Sequence, residues 1–465
     1  MQTRNVAVMG AGFAGLASAL LLARDGHDVT LLERDALTVA GPAEAWHWPR
    51  KGIPHFLQPH AFTPRGDKEL RDHLPDVHQA LLDNGAGLID LARKLPGERL
   101  PADDELRMLG VRRPLIEWAL WRAVVAEPRV TIRSGVRVDG VRMDRGRTVA
   151  VAVDGADLDA DVVVDALGRR SPALEWLAAA GITEEPVESS DCGVTYYCRY
   201  YRQRPGFDLP DGPWPVSPRG DLGYLGFSSF PGDNRTFAAL LPVPPGVPEW
   251  RAFRNAAVFE AAVAQIPALR GWVDPDGVEP ITDVLPMAGL RNTLRHYDPN
   301  AGRGLVPVGD ALAHTDPVLS HGLPLALIHA RELTTALHEH EVVDDALSQY
   351  AERTAPVLRE RFDFATALDA QRLRHWLGES VDFTRRDGDY ALFTFIAGGA
   401  AAMVDAEVFR VVTRRMGLLD STSVLDDDLA MQQRIEDLFA EARSAPRPPS
   451  GPTRDEMVEL VSTAT

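Results

Sequence analysis

Cysteine is almost absent: the 465-residue chain has two, Cys192 and Cys198. Read as six residues apart on one extended strand, they stand roughly 20 Å from each other, too far to bridge. A fold that leans on no disulfide and a reduced, cytoplasmic setting are expected. Long apolar runs are missing too. No stretch approaches the ~20 residues that span a bilayer, and MQTRNVAVMGAG runs straight into a strand pattern without a charged, apolar, cleavable leader. Lysine is scarce, with only Lys51, Lys68 and Lys94 among 49 basic residues, whereas Asp and Glu number 67. The resulting net charge of −18 repels phosphate backbones and anionic lipid, so neither nucleic acid nor membrane is an expected partner.

What is present begins at once. Residues 5 to 35, NVAVMGAGFAGLASALLLARDGHDVTLLERD, read as strand, glycine turn, helix, Gly26 stop and second strand. Gly10 permits the tight turn, Gly12 lets backbone approach a pyrophosphate, and Gly15 lets the helix lie close to the strand. Glu33 ends the second strand 18 residues after Gly15, where a carboxylate meets ribose hydroxyls, and Arg34 follows it. The alternative is an ordinary glycine-rich turn, but context, spacing and acid agree on a dinucleotide. NAD and FAD sites share this fingerprint, so later residues must choose between them.

Two later segments do so. RGLVPVGDALAHTD (303 to 316) delivers Gly309 and Asp310 to the tip of an apolar strand, and ADVVVDALGRRSP (160 to 172) is a strand ending in a glycine turn and a basic pair. The three pieces in this order resemble the FAD-binding domain of the glutathione-reductase-like flavoprotein monooxygenases. That resemblance implies FAD as cofactor, with Gly10, Gly12, Gly15 and Glu33 on the ADP half and Gly309 and Asp310 on the ribitol and pyrophosphate. Arg113, with Ile116 and Leu120 three and seven positions on, is similar to a family arginine beside the cofactor; the plain alternative is an arginine capping an amphipathic helix. Pro317 and Gly322, with Pro324 in the first helical turn, resemble the helix start that faces the flavin, although His321 and Pro324 replace the usual small and amide residues.

The order Asp165, Ala166, Leu167, Gly168 departs from the Asp-Gly pair of hydroxylases that bind NADPH themselves. It is similar to the form in epoxidases, halogenases and prenyl reductases, several of which take electrons from a separate protein. A separate flavin reductase or ferredoxin system is therefore the expected electron donor.

WPRKGIPHFLQPH (48 to 60) fits a cofactor or substrate wall. Arg50, Lys51, Gly52, Pro54, His55 and His60 resemble a segment of polyene and polyether epoxidases that lies near the flavin. As a metal site it fails: His55 and His60 are five apart with Pro59 between them, and no cysteine is near. The packed-loop alternative leaves both histidines satisfying backbone groups. A halogenase Trp-x-Trp-x-Ile-Pro motif is missing; AWHWPRKGIP holds its parts separately.

The organisation expected is α/β: a Rossmann-like FAD-binding domain split between residues 1–180 and 291–340, a substrate-binding sheet inserted at 181–290, C-terminal helices over 341–442, and a Pro-rich linker and tail over 443–465. Tyr196, Tyr200, Tyr224, Phe227 and Phe230 are candidates for the pocket wall, with plain core the favoured reading. With no second dinucleotide fingerprint, the flavin carries the hard chemistry. The resemblance implies oxygen transfer through a flavin C4a-peroxide, by epoxidation or hydroxylation of an apolar or polyketide-like small molecule in specialised metabolism. A prenyl-reductase-type hydride transfer and a non-catalytic FAD protein are the alternatives. His55, His60, His314 and His321 are the candidates for proton handling, because imidazole titrates near neutrality.

Overall fold

The computed structural model describes residues 2–36, 39–182, 186–301, 303–444 and 450–463. Its centre is a five-stranded parallel sheet built from β1 (Asn5–Met9), β2 (Asp28–Glu33), β3 (Val130–Ser134), β4 (Val162–Asp165) and β5 (Leu305–Pro307), in the order β5, β4, β1, β2, β3. The apolar runs of β1 and β4 are buried on both faces, as an internal parallel strand requires. Register is carried by pairs such as Val6 with Val29 on one side and Val6 with Val162 on the other. An antiparallel three-stranded meander, residues 138 to 159, forms the crossover from β3 to β4.

Helix α1 (Phe13–Arg24) is apolar nearly all round because it is covered nearly all round. One side meets the sheet, the others α2 (Arg113–Ala126) and α3 (Gly322–Glu339). Leu16, Leu20, Ile116, Leu120 and Leu327 share one core there, each withdrawn side chain being worth about 1.5–3 kcal/mol. A 34-residue helix, α4 (Val343–Trp376), follows and runs for about 50 Å.

The second sheet has six strands, with Thr195–Gln203 paired to Thr236–Val243 and to Val278–Pro280, and Leu285–Met287 adding to the same strand. Alternation sorts its aromatics. Tyr197 and Tyr201 point to a core shared with Tyr224, Phe227, Trp250 and Phe253. Tyr196 and Cys198 belong to a different cluster on the opposite face.

One reading is corrected. Cys192 is not on the strand of Cys198: it lies between Glu188–Asp191 and Thr195–Gln203, because Gly193, at φ +61, breaks the run. The tail after the Pro-rich stretch forms a short helix, Arg454–Thr463, whose Met457 and Val461 are buried in the core of the six-stranded sheet. Residues 445–449 of the expected linker lie outside the described residues. No helix is long and apolar enough to cross a membrane among the described residues.

Candidate cofactor site

The glycine turn closes between β1 and α1. Gly10 has φ +100, and a Cβ there would lie 2.7 Å from the Ala166 carbonyl oxygen. A Cβ on Gly15 would lie 1.8 Å from the Gly10 oxygen. Gly12 differs, since among the described residues the only atom near a Cβ there is Ile53 Cδ1 at 3.8 Å. Gly10 and Gly15 are therefore demanded by the chain's own packing, while Gly12 keeps open space in front of the helix start. Gly12 is also the N-cap of α1 and offers no side-chain cap, leaving first-turn amides for an anion.

Around this opening lies a buried charge network. Glu33 accepts the Ala11 amide at 2.9 Å and the Asp35 amide at 2.9 Å. Arg50, 6% exposed, donates to the Ala11 carbonyl and lies 3.8 Å from Glu33 and 3.5 Å from Glu117. Among the described residues its Nε and Nη1 are buried without a hydrogen-bond partner. With N–H groups left over after these contacts, the guanidinium could hold a phosphate oxygen of a bound dinucleotide. Arg113 donates to Glu117 at 2.7 Å. Arg34 and Lys51 stand on the exposed rim.

The β5 end supplies the other half. Gly309, at φ +58, packs against Ala14 of α1, and its amide donates to His329 Nδ1 at 2.9 Å. Arg295 holds the same turn, donating to the Asp310 and Ala311 carbonyls at 3.1 and 3.0 Å. Asp310 lies 3.5 Å from His314 Nδ1. Burial alone would raise its carboxyl, but His314, His55 and Arg113 outweigh burial and hold it well below the usual range.

His55 and His60 face each other with ring centroids 6.0 Å apart. Burial first, then Arg113, lowers both, His60 to about 3. His60 Nδ1 lies 2.7 Å from the Gln58 carbonyl, and Arg169 Nη2 3.4 Å from His55 Nδ1. These imidazoles are neutral at pH 7, suited to accepting hydrogen bonds and not to donating a stored proton. The geometry brings His55, His60 and His314 together around Asp310 and Arg113. It leaves His321 elsewhere: His321 caps α3, contacts the Met416 carbonyl at 3.1 Å, and is lowered to about 3 by burial and by Arg361. Pro317 opens a short turn and Gly322 opens α3, both next to His321.

Sequence reasoning missed Glu117, His329 and Arg295. Glu117 is legible as the i+4 partner of Arg113 on one helix. The other two meet the turn only through tertiary packing and leave no local signal.

The six-stranded sheet approaches this cleft with the Tyr196, Cys198 and Tyr200 face. Cys198 Sγ contacts Gln58 Oε1 at 3.2 Å, and Tyr200 meets Trp46 edge to face at 5.0 Å. Tyr224 and Phe227 are core on the far face.

Comparison with known proteins agrees with this architecture. Residues 5–48 match the family model described as FAD dependent oxidoreductase. The chain is 28% identical over 368 residues, 72% of its length and 73% of the relative's, to protein Rv3254 of Mycobacterium tuberculosis. It is 31% identical to protein FixC of Salmonella typhi over 40% of this chain and 41% of that one. Among solved structures, PqsL of Pseudomonas aeruginosa, described as a probable FAD-dependent monooxygenase, superposes with TM-score 0.59 at 16% identity, covering 81% of this chain and 99% of that one. The flavin-dependent brominase Bmp2 gives 0.61 at 15% identity over 95% and 98%. With the glycine turn inside the matched segment and the shared fold around it, the chain is an FAD-dependent oxidoreductase, and FAD is its cofactor.

Proposed function

We propose that this protein is a monooxygenase that inserts one oxygen atom, by epoxidation or hydroxylation, into an apolar or polyketide-like small molecule of specialised metabolism. The observation that carries the reading is the pair of half-buried, neutral imidazoles, His55 and His60, beside Arg113 and Asp310 and close to the aromatic sheet face. Oxygen transfer needs a site poor in water with hydrogen-bonding groups that do not give up protons prematurely. Bound FAD supplies the redox chemistry. In this reading Gly12, the α1 amides and Arg50 take the pyrophosphate, Glu33 the adenosine ribose, Asp310 the ribityl chain, and Arg113 the flavin side. His55, His60 and His314 orient substrate and accept hydrogen bonds, Tyr200 and Trp46 exclude water, and Pro317 and Gly322 aim the start of α3 at the flavin. Arg34 and Lys51 contribute rim charge.

Likeness to PqsL supports the oxygenase class, and likeness to Bmp2 supports the broader flavin-dependent class. The Leu167 position and the single dinucleotide fingerprint favour electrons from a separate flavin reductase or ferredoxin system. The test is turnover of an apolar substrate panel with that reductase under isotopically heavy dioxygen. One heavy oxygen atom in the product is expected; a product that gains hydrogen without label identifies a reductase, and one that gains halogen identifies a halogenase.

A further inference from the structure

A second set of ionisable groups is buried where α4, the six-stranded sheet and the turn after Asp310 meet. Asp316, 1% exposed, is the N-cap of the turn Pro317–Leu319. Its Oδ1 accepts the Tyr196 hydroxyl and the Val318 amide, and its Oδ2 accepts Arg372 Nη2 at 2.7 Å. The same Nη2 lies 2.9 Å from Asp369 Oδ1 and 3.0 Å from the Cys192 carbonyl. Asn292 closes the set, with Nδ2 donating to Asp369 Oδ2 at 2.7 Å and Oδ1 accepting the Asp316 amide at 2.8 Å.

The charges do not balance. Two buried carboxyls face one guanidinium, and the other neighbours from the packed elements are neutral: Tyr196 and Cys192 on the sheet side, Asn292 on its strand, Trp376 beneath Arg372 on α4. A second carboxylate here would leave an uncompensated charge in a low-dielectric interior. Burial first, then Asp316, pushes the Asp369 carboxyl up to about 9, against the pull of Arg372. At Asp316 burial is again the largest influence and pushes upward, but Arg372 together with the hydrogen bonds from Asp369 and Tyr196 outweighs it, and the carboxyl stays low.

We propose that Asp316 and Asp369 hold one shared proton beside Arg372, and that this proton-holding site fastens the flavin-side turn to the strand carrying Tyr196. The connection to the flavin rests on the FAD reading above; the proton site does not. Interacting carboxyls of this kind titrate as a pair. The sign of its pH effect follows. Asp369 keeps a proton in the folded chain that the unfolded chain loses near 3.8, so this cluster's contribution falls as pH rises between there and about 9.

The experiment is infrared difference spectroscopy of the full-length, FAD-loaded protein. At pH 7 a protonated-carboxyl C=O band is expected, fading toward pH 10. Asp369→Asn removes it, and in Asp316→Asn it fades at lower pH, because Arg372 then pulls on the remaining carboxyl with no second carboxylate opposing it. Should one variant fail to fold, the other carries the test. Asp310→Asn retains the band. The decline of melting temperature between pH 7 and pH 9 is shallower in Asp369→Asn than in the wild type. A wild-type spectrum without the band, or a band that survives Asp369→Asn or keeps its wild-type pH range in Asp316→Asn, overturns the proposal. A band in a protein that takes up no FAD would sink the cofactor reading and leave the proton site standing.

Discussion

The glycine turn and the six-stranded sheet solve opposite problems with similar economy of residues. In the turn, backbone meets backbone: Gly15 is fixed by the Gly10 carbonyl and Gly10 by the Ala166 carbonyl, and one position, Gly12, is left open. In the sheet, side chains meet side chains, and adjacent tyrosines on one strand go to different faces. Tyr197 and Tyr201 fill a core, whereas Tyr200 meets Trp46 and Tyr196 meets Asp316. The difference teaches that a local turn shows its purpose by the space it leaves empty, and a sheet by what the next element places against each face.

Substitution at Gly15 separates the two most sharply. Gly15→Val sets side-chain atoms on the Gly10 backbone, where nothing flexible yields, and a loss of at least about 4 kcal/mol is expected, leaving little soluble folded protein. Circular dichroism and a solubility assay check it. A variant that melts like the wild type would show that the α1 approach to β1 is looser than described.

Tyr201→Ala probes the sheet core with a smaller effect. Tyr201 stacks on Phe237 at 5.5 Å and is 2% exposed, and its hydroxyl has no hydrogen-bond partner among the described residues. The loss is therefore one of packing, about 3–5 kcal/mol by chemical denaturation, with FAD affinity unchanged in the folded fraction. Weaker FAD binding at equal folding would place this face on the cofactor side and reverse the comparison.

The two regions were unequally legible in the sequence. The order of β1, α1 and β2, the Glu33 position and the Gly309-Asp310 tip are set by local spacing, and the structure places them at strand and helix ends. The alternation in TYYCRYYRQ was legible as a strand, but not which tyrosines face the cleft, since both faces are buried and hydropathy is the same on each. The same limit applies to histidines. His55, His60 and His321 look alike in sequence, yet the fold puts two beside Asp310 and the third beneath Arg361 and Arg415. Glu117 was within reach of a spacing argument; the meeting of Asp316, Asp369 and Arg372 depends on α4 crossing the turn after Asp310 and had no local sign.

The central claim is that the space in front of Gly12 is an FAD pyrophosphate site, and titration of the apoprotein with FAD tests it most directly. Gly12→Val should still fold without cofactor, because among the described residues a Cβ there makes only an ordinary contact, with Ile53 at 3.8 Å. The account predicts one FAD per wild-type chain, no displacement by NAD, and binding at least about 100-fold weaker in Gly12→Val. Equal FAD affinity in the two proteins, or NAD bound in place of FAD, would contradict it.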